Sequence, residues 1–426
     1  MKIIFLIKFY QPFDRGGSEW STHDLAKLFT QKGHQVTILT PNYGTKSFEV
    51  IEKIQIHRFP FVKKLKDPKS PITPWWTNNI FWFIYTSLYI SWFVFKNKPD
   101  IIHIHSNEFI PSGVLAGKLN KKPSVVTFRD YQALCNLGFC LWEKDKTCKN
   151  LGEYLRKDFN FFYQNYIYDK SPFKYFFLQM AAVHGWVMQK IVYFFAKQIS
   201  TKVAVSQKVA KIFTANGLDH LRVINNPVIM SAKLSERTST EIIYIGRLSK
   251  GKGVDMLLDA FLQICGKLRN VKLKIIGSGV LAKELERKIK EAGLGSRIIL
   301  TGQLNHDQVL EQIKKAALVV TPSIWPEPLP RSAIESLLSG IPVVATKRGG
   351  ITEVVKNNRY GVLVSPNKNS LAKAILAAYT KREYFRKNIL KDLHRLRQHH
   401  TKEITGFYLK LYNGLLKNKT NYGKTL

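Results

Sequence analysis

The sequence predicts an α/β protein made of two doubly wound halves in tandem, each a largely parallel sheet covered by helices. Three observations predict it: short β-branched runs recur at helix-length intervals, a glycine-rich loop follows the first of them, and a polar linker separates two such series. A length of 426 residues suits two or three domains, each able to bury a core. The 45% hydrophobic content excludes a disordered polymer, and only four cysteines in a chain this long exclude a disulfide-stapled secreted module and fit a reduced, cytoplasmic compartment.

The opening MKIIFLIK reads as a buried strand, Lys2 to Ile7, because its apolar run before Lys8 is too short for a secretory signal. The loop DRGGSE (Asp14 to Glu19), a helix to about Lys32, a stop at Gly33 and a strand from Gln35 to Thr40 complete a βαβ unit. Further strands are predicted at Ile101 to Ser106, Ser124 to Phe128, Lys202 to Ser206 and Arg222 to Pro227. After the Ser/Thr-rich linker Ser231 to Thr240, a second series follows at Glu241 to Gly246, Lys272 to Gly279, Arg297 to Gly302, Leu318 to Pro322, Pro342 to Thr346 and Gly361 to Ser365. The expected domains are therefore 1–228 and 229–400, with a closing segment 401–426. Ligands of such sheets lie beyond the carboxyl ends of the strands, so the expected site is a cleft between the halves.

Two aromatic stretches interrupt the first half. Trp75 to Phe95 holds no charge over 21 positions, enough to span a bilayer. A crossing there would put strands of one sheet on opposite sides of a membrane, which leaves two readings: a helix lying against the membrane interface, or an ordinary buried helix. Phe159 to Phe195 mixes aromatics with lysines, as an interfacial surface or a core-facing helix pair would. The net charge of +36 attracts polyanions such as anionic lipid or nucleic acid. Nothing in the chain resembles an RNA-recognition motif, so no nucleic-acid partner is expected.

The densest chemical signal is PSIWPEPLPRSAIESLLSGIPVVATKRGG, Pro322 to Gly350. Glu327 falls on a loop before a helix predicted from about Arg331 to Ser339, and Glu335 falls inside that helix. Free N–H groups and a partial positive charge at the helix start suit a phosphate, while the two carboxylates can accept hydrogen bonds from sugar hydroxyls. The plain alternative is a capped helix with two surface glutamates. IGRLSKGKGVD (Ile245 to Asp255) adds Arg247 and Lys252 where a strand gives way to a glycine loop, and a diphosphate is the anion such a pair would hold; a solvated basic loop is its plain alternative. Neither a DxD motif nor a GxxxxGK[ST] loop occurs. Phosphate charge is therefore expected to be met by side-chain cations and a helix dipole, with no cofactor and no divalent metal.

On these residues the chain resembles, over almost its whole length, the family-4 retaining nucleotide-sugar glycosyltransferases of the GT-B fold. The resemblance rests on GGSE (Gly16 to Glu19), GHQVTILT, KPDIIHIHS, VVTFRDY, VAVS, GRLSKGKGVD, IGSG, and EPLPRSAIE followed by SGIPVVATKRGG. It implies that Arg247 and Lys252 grip the donor diphosphate and stabilise the leaving group, that Glu327 contacts the transferred sugar, and that Glu335 holds the ribose. It places Gly246, Gly277, Gly279, Gly302, Leu329, Arg331 and Ser332 around the donor, and Gly16 and Gly17 where backbone approaches the pyrophosphate. His105, Arg129 and Asp130 fall on the acceptor side, and the segment from about Thr401 to Asn418 is expected to return to the first half as a helix, followed by a frayed tail. The implied function is transfer of one sugar from a nucleotide sugar to a glycan or lipid-linked acceptor of the cell envelope, by an enzyme peripheral on the inner face of an anionic membrane. An epimerase of the same fold, or a non-catalytic basic lipid- or RNA-binding protein, is the alternative.

Two positions depart from the family pattern. Arg129 stands where many members have His, which favours an anionic acceptor unless Arg129 pairs with Asp130 or another carboxylate. Pro330 stands where relatives often carry Gly, at a helix start that can spare one N–H. His103 and His105 share one face of a strand; His103 reads as packed and His105 as lining the cleft. Cys135, Cys140 and Cys148 form C-x4-C-x7-C, one ligand short of a zinc site, and bound metal, reduced thiols and a regulatory disulfide all stay open.

Overall fold

The computed structural model describes residues 1–65, 72–143, 145–167, 170–230 and 240–422. The expected linker, apart from Thr240, and the last four residues of the expected tail lie outside the described residues. Two compact units form: Met1–Pro227 with Thr401–Leu426, and Val228–His400.

The first unit holds an eight-stranded sheet of β1 (Lys2–Leu6), β2 (Gln35–Pro41), β3 (Phe48–Ile51), β4 (Ile54–Phe59), β5 (Ile101–Ile104), β6 (Ser124–Phe128), β7 (Thr201–Ala204) and β8 (Leu221–Val223). Their spatial order is β3-β4-β2-β1-β5-β6-β7-β8, and only β3 runs antiparallel to its neighbour. Ile3 to Leu6 are all buried, as expected of a central parallel strand covered on both faces. The β3–β4 hairpin was not foreseen. Its turn is Glu52-Lys53, both at positive φ (50° and 65°), a geometry normally announced by Asn-Gly.

Helix Ile80–Asn97 divides its apolar residues between two faces. Trp82, Phe83, Thr86, Ile90, Phe93 and Val94 are buried, whereas Phe81, Ile84, Leu88, Trp92 and Phe95, spaced three and four apart, are exposed. Helix Pro172–Gln198 repeats the division: it buries Ala182, Met188, Val192 and Ala196 and exposes Phe173, Phe176, Phe177, Met180 and Phe194. Neither stretch is therefore simply core. Among the described residues no helix is long and apolar enough to cross a membrane.

Helix Ile404–Tyr422 closes the first unit, running past the expected end at Asn418. It buries Ile404, Tyr408, Leu411 and Tyr412 with Phe5, Phe29 and Val125. His103 settles into the same core. Its Nε2 meets Thr127 Oγ1 at 2.7 Å and its Nδ1 meets Tyr412 Oη at 2.6 Å, so both ring nitrogens are engaged and its role is packing.

The second unit holds β9 (Glu241–Ile245), β10 (Lys272–Ile276), β11 (Ile298–Gly302), β12 (Leu318–Thr321), β13 (Val343–Thr346) and β14 (Gly361–Val364). All pairings are parallel, in the order β11-β10-β9-β12-β13-β14. The chain builds outward from β9 to β11, then returns to start again at β12. The order thus reverses between β9 and β12, and ligands of such sheets bind beyond the carboxyl ends of the strands at such a reversal.

Candidate active site

In the second unit, loops leaving β9, β12 and β13 are tied together through backbone. Ile324 and Trp325 both donate N–H to the Gly251 carbonyl at 2.9 Å, Glu327 donates to Arg348 O at 3.2 Å, and Gly350 donates to Glu327 O at 2.6 Å. Such contact needs glycine: a Cβ on Gly349, which sits at φ +79°, would stand 2.1 Å from the Glu327 carbonyl oxygen.

Glu327 is held on this scaffold at 5% exposure. Lys252 Nζ donates to its Oε1 at 2.7 Å, and Ser323 Oγ donates to the same oxygen. Arg247 is exposed, just beyond Gly246, and its carbonyl accepts from Tyr244 Oη at 2.7 Å. Burial, and next the Glu327 charge, hold the Tyr244 phenol well above its usual range, while Arg247 pulls the other way. Tyr244 is thus a neutral donor that braces the backbone at Arg247.

Glu335 lies inside helix Arg331–Leu338 at 1% exposure and accepts from Arg331 Nε at 2.6 Å and from His306 Nε2 at 2.8 Å. Burial raises its pKa, but the Arg331 charge and the His306 contact outweigh that and leave the carboxyl below its usual range. Leu329 is buried just before the helix, Pro330 takes the cap position, and Ser332 is half-buried in the first turn. At the ends of β9 and β10 the backbones nearly touch: a Cβ on Gly277 would fall 1.9 Å from Gly246 O. Gly279 and Gly302 continue this border, the latter accepting from Gly277 N–H at 2.9 Å. Sequence reasoning missed Tyr244, Ser323 and His306. A signal for His306 was present, since Asn305 and Gln308 form a capping box that starts a helix just after β11.

In the first unit the order reverses between β1 and β5, and His105, Arg129 and Asp130, expected on the acceptor side, follow β5 and β6. Arg129 donates through Nε to Asn226 Oδ1 at 2.9 Å and through Nη1 to Thr22 Oγ1 at 2.8 Å, and lies 2.6 Å from His105 Nδ1. Asp130 accepts from Asn107 Nδ2 at 2.6 Å and from Gln132 N–H at 2.9 Å. These bonds tie Arg129 to the helix that follows the glycine loop. Burial, reinforced by His103 and Arg129, holds His105 well below its usual range and therefore neutral, and its Nε2 is buried with no hydrogen-bond partner among the described residues. Gly16 precedes helix Gly17–Gln31, and a Cβ there would meet nothing within 4 Å, so the space beside it is open. Half-buried Glu19 has its carboxyl pushed up to about 7, chiefly by burial, against its own backbone N–H.

Two doubly wound units, the second carrying cations and carboxylates at its switch point, make the GT-B fold. Residues 15–231 match the family described as Glycosyltransferase Family 4 and residues 226–393 the one described as Glycosyl transferases group 1. The chain belongs to glycosyltransferase family 4. An uncharacterized glycosyltransferase of Methanocaldococcus jannaschii is 24% identical over 431 residues, covering 92% of this chain and 94% of the relative. The lipopolysaccharide 1,2-N-acetylglucosaminetransferase of Salmonella typhimurium is 33% identical over 124 residues, 28% of this chain and 32% of its own. The crystal structure of Anabaena HepE in complex with UDP and glucose shares the fold at a TM-score of 0.68 and 19% identity, covering 97% of this chain and 99% of that one.

The depressed pKa of Glu335 sets a pH signature. An acid whose folded pKa lies below its usual 4.5 contributes stability that is complete above that pH and is lost as pH falls through the folded value. Glu335→Gln is therefore expected to cost about 2 kcal/mol at neutral pH, with the deficit shrinking below about pH 4. Urea unfolding of both proteins across that range checks it, and a deficit that stayed constant in acid would contradict the assignment.

Proposed function

We propose that this chain is a retaining, metal-independent glycosyltransferase that moves one sugar from a nucleoside-diphosphate-sugar to a glycan or lipid-linked acceptor of the cell envelope. The observation that carries this reading is the pairing of Lys252 with Glu327 on interlocked loops at the switch point of the second unit. A donor diphosphate there competes with Glu327 for Lys252 and meets the exposed Arg247. Glu327 is then free to accept a hydroxyl of the transferred sugar. The anomeric C–O bond breaks with its electron pair leaving on the diphosphate, whose growing charge the two cations stabilise. The acceptor hydroxyl attacks from the same face, and its proton passes to the departing phosphate oxygen, which retains the anomeric configuration. The amides at the start of helix Arg331–Leu338 add a partial positive charge, and Glu335, kept ionised by Arg331 and His306, serves as acceptor for the ribose hydroxyls.

The envelope setting is supported by the Salmonella relative, whose name places its acceptor in lipopolysaccharide, and by the exposed aromatic faces of the first unit. Phe81 is 80% exposed and Phe95 70% exposed. Lysines stand among these aromatics: Lys96 Nζ lies 5.4 Å from the Trp92 ring and Lys190 Nζ 4.9 Å from the Trp186 ring. Aromatics and lysine stems together suit insertion into the headgroup layer of an anionic membrane, each lysine adding about 1 kcal/mol.

The chemistry is tested by measuring nucleoside diphosphate release from a panel of donors with acceptor present. Arg247→Ala and Glu327→Ala should each lower release by about 10²–10³-fold, and the wild-type product should keep the donor's anomeric configuration by NMR. Undiminished release in both variants discards the site, an inverted product discards retention, and donor turnover without acceptor points to epimerisation instead. For the membrane, the wild type should float with phosphatidylglycerol vesicles and a Phe81→Ser, Leu88→Ser, Phe95→Ser triple variant should largely sediment; equal flotation of the two would remove these faces from the account.

A further inference from the structure

A second constellation in the first unit takes no part in the chemistry above. The segment after β6 folds back so that Cys135 Sγ donates to Asp158 Oδ2 at 3.0 Å. Cys140 Sγ lies 3.9 Å from Cys135 Sγ, and the Cys140 N–H donates to Asp158 Oδ1 at 2.7 Å. The ligand-type atoms of Cys135, Cys140 and Asp158 all lie within 4.8 Å of one another. Cys148 is buried in the same small core as Cys135, with Cys140 packed against that core. The fourth ligand missing from C-x4-C-x7-C is thus supplied by an aspartate ten residues after the last cysteine.

Geometry and charge both favour an ion at the centre. Zinc bonds of about 2.3 Å to sulfur and about 2.0 Å to oxygen, at tetrahedral angles, put sulfurs about 3.8 Å apart and sulfur about 3.5 Å from oxygen. The observed 3.9 and 3.0 Å need changes of about 0.1 and about 0.5 Å to reach those values. Asp158 is fully buried, and among the described residues no Lys, Arg or His forms an ion pair with it; the adjacent Lys157 turns to Glu153 at 2.7 Å. A buried carboxylate ringed by thiols lacks the positive charge that would offset its desolvation. The Gly138 N–H donates to Cys135 Sγ at 3.3 Å, a bond that favours thiolate and fixes the sulfur as a ligand's outer partner does. Asp158 itself lies in a π-helical turn, Leu155–Phe159, a rare register that recurs at functional positions. A Cys135–Cys140 disulfide would use two sulfurs and leave Asp158 no better compensated.

We propose that Cys135, Cys140, Cys148 and Asp158 form a closed, tetrahedral structural zinc site. Its formation releases the three thiol protons to solvent as three Zn–S bonds and one Zn–O bond form. With four protein ligands it has no open position for substrate, so its role is to anchor. It pins the segment that begins at Arg129 and Asp130 onto the aromatic insertion, beside the bond from Gln189 Nε2 to Ala133 O at 2.9 Å. Cys135, Cys148, Tyr154, Phe159, Tyr163 and Ala182 form a small separate core there, the kind of cluster that gains most from a metal staple.

The test uses the full chain, purified under reducing conditions without chelator. Elemental analysis should find one zinc per chain in the wild type and in Cys265→Ser, and at least about tenfold weaker retention against a chelator in Cys140→Ser and Asp158→Asn. Cobalt substituted for zinc in the wild type should give a thiolate-to-cobalt charge-transfer band and the strong visible bands of tetrahedral coordination. Should the variants fail to fold, the wild-type cobalt spectrum and a rise in melting temperature on adding zinc to chelator-treated protein decide alone. Reduced wild-type protein that binds neither ion, cobalt bound without the charge-transfer band, or a Cys135–Cys140 disulfide in freshly isolated protein would each overturn the proposal.

Discussion

The Lys252–Glu327 ion pair is the interaction on which the second unit's site depends. Parallel strands buried on both faces have no room for charge, so polar chemistry is confined to loops at their carboxyl ends. There Glu327 is almost fully buried, a placement that is costly unless a cation and hydrogen bonds compensate it. Lys252 and Ser323 provide that compensation, and the backbone bonds through Gly251, Arg348 and Gly350 keep the three groups in register. In the proposed reaction a diphosphate takes the place of the Glu327 carboxylate at Lys252, and the exposed Arg247 lies on the same loop.

Much of this was legible in the sequence because Arg247, Lys252, Glu327 and the glycines beside them sit on loops at strand ends, and strands buried on both faces announce themselves as β-branched runs. Their ends were read long. The run at Ile101 stops as a strand at Ile104 because the chain turns at Ser106 into a short 3₁₀ segment, Asn107–Phe109. The β3–β4 hairpin was illegible because Glu52 and Lys53 adopt left-handed conformations that their side chains do not advertise. Tyr244, Ser323 and His306 were missed for another reason: their roles arise from contacts between elements distant in sequence. Asp158 is the sharpest case, since nothing local separates it from any other helical aspartate until the fold sets it beside the Cys135 and Cys140 thiols.

Arg129 shows how one substitution is absorbed. Read alone, a permanent cation at the end of β6 suggested an anionic acceptor or a carboxylate partner. Its guanidinium bonds to Asn226 and Thr22, touches neutral His105 and draws on the Glu19 carboxyl, so its position braces three segments of the first unit. The two aromatic helices likewise resist a choice between core and interface, because each has one buried face and one face of exposed rings.

The central claim is that fixed cations hold the diphosphate without help from a divalent ion. Calorimetric titration of nucleoside diphosphates into the wild type and Lys252→Ala, with excess EDTA and then with magnesium, tests it most directly. The account predicts binding to the wild type that is unchanged by EDTA and falls about 10–100-fold in Lys252→Ala. Binding that appears only when magnesium is supplied, or that is indifferent to the loss of Lys252, would contradict it.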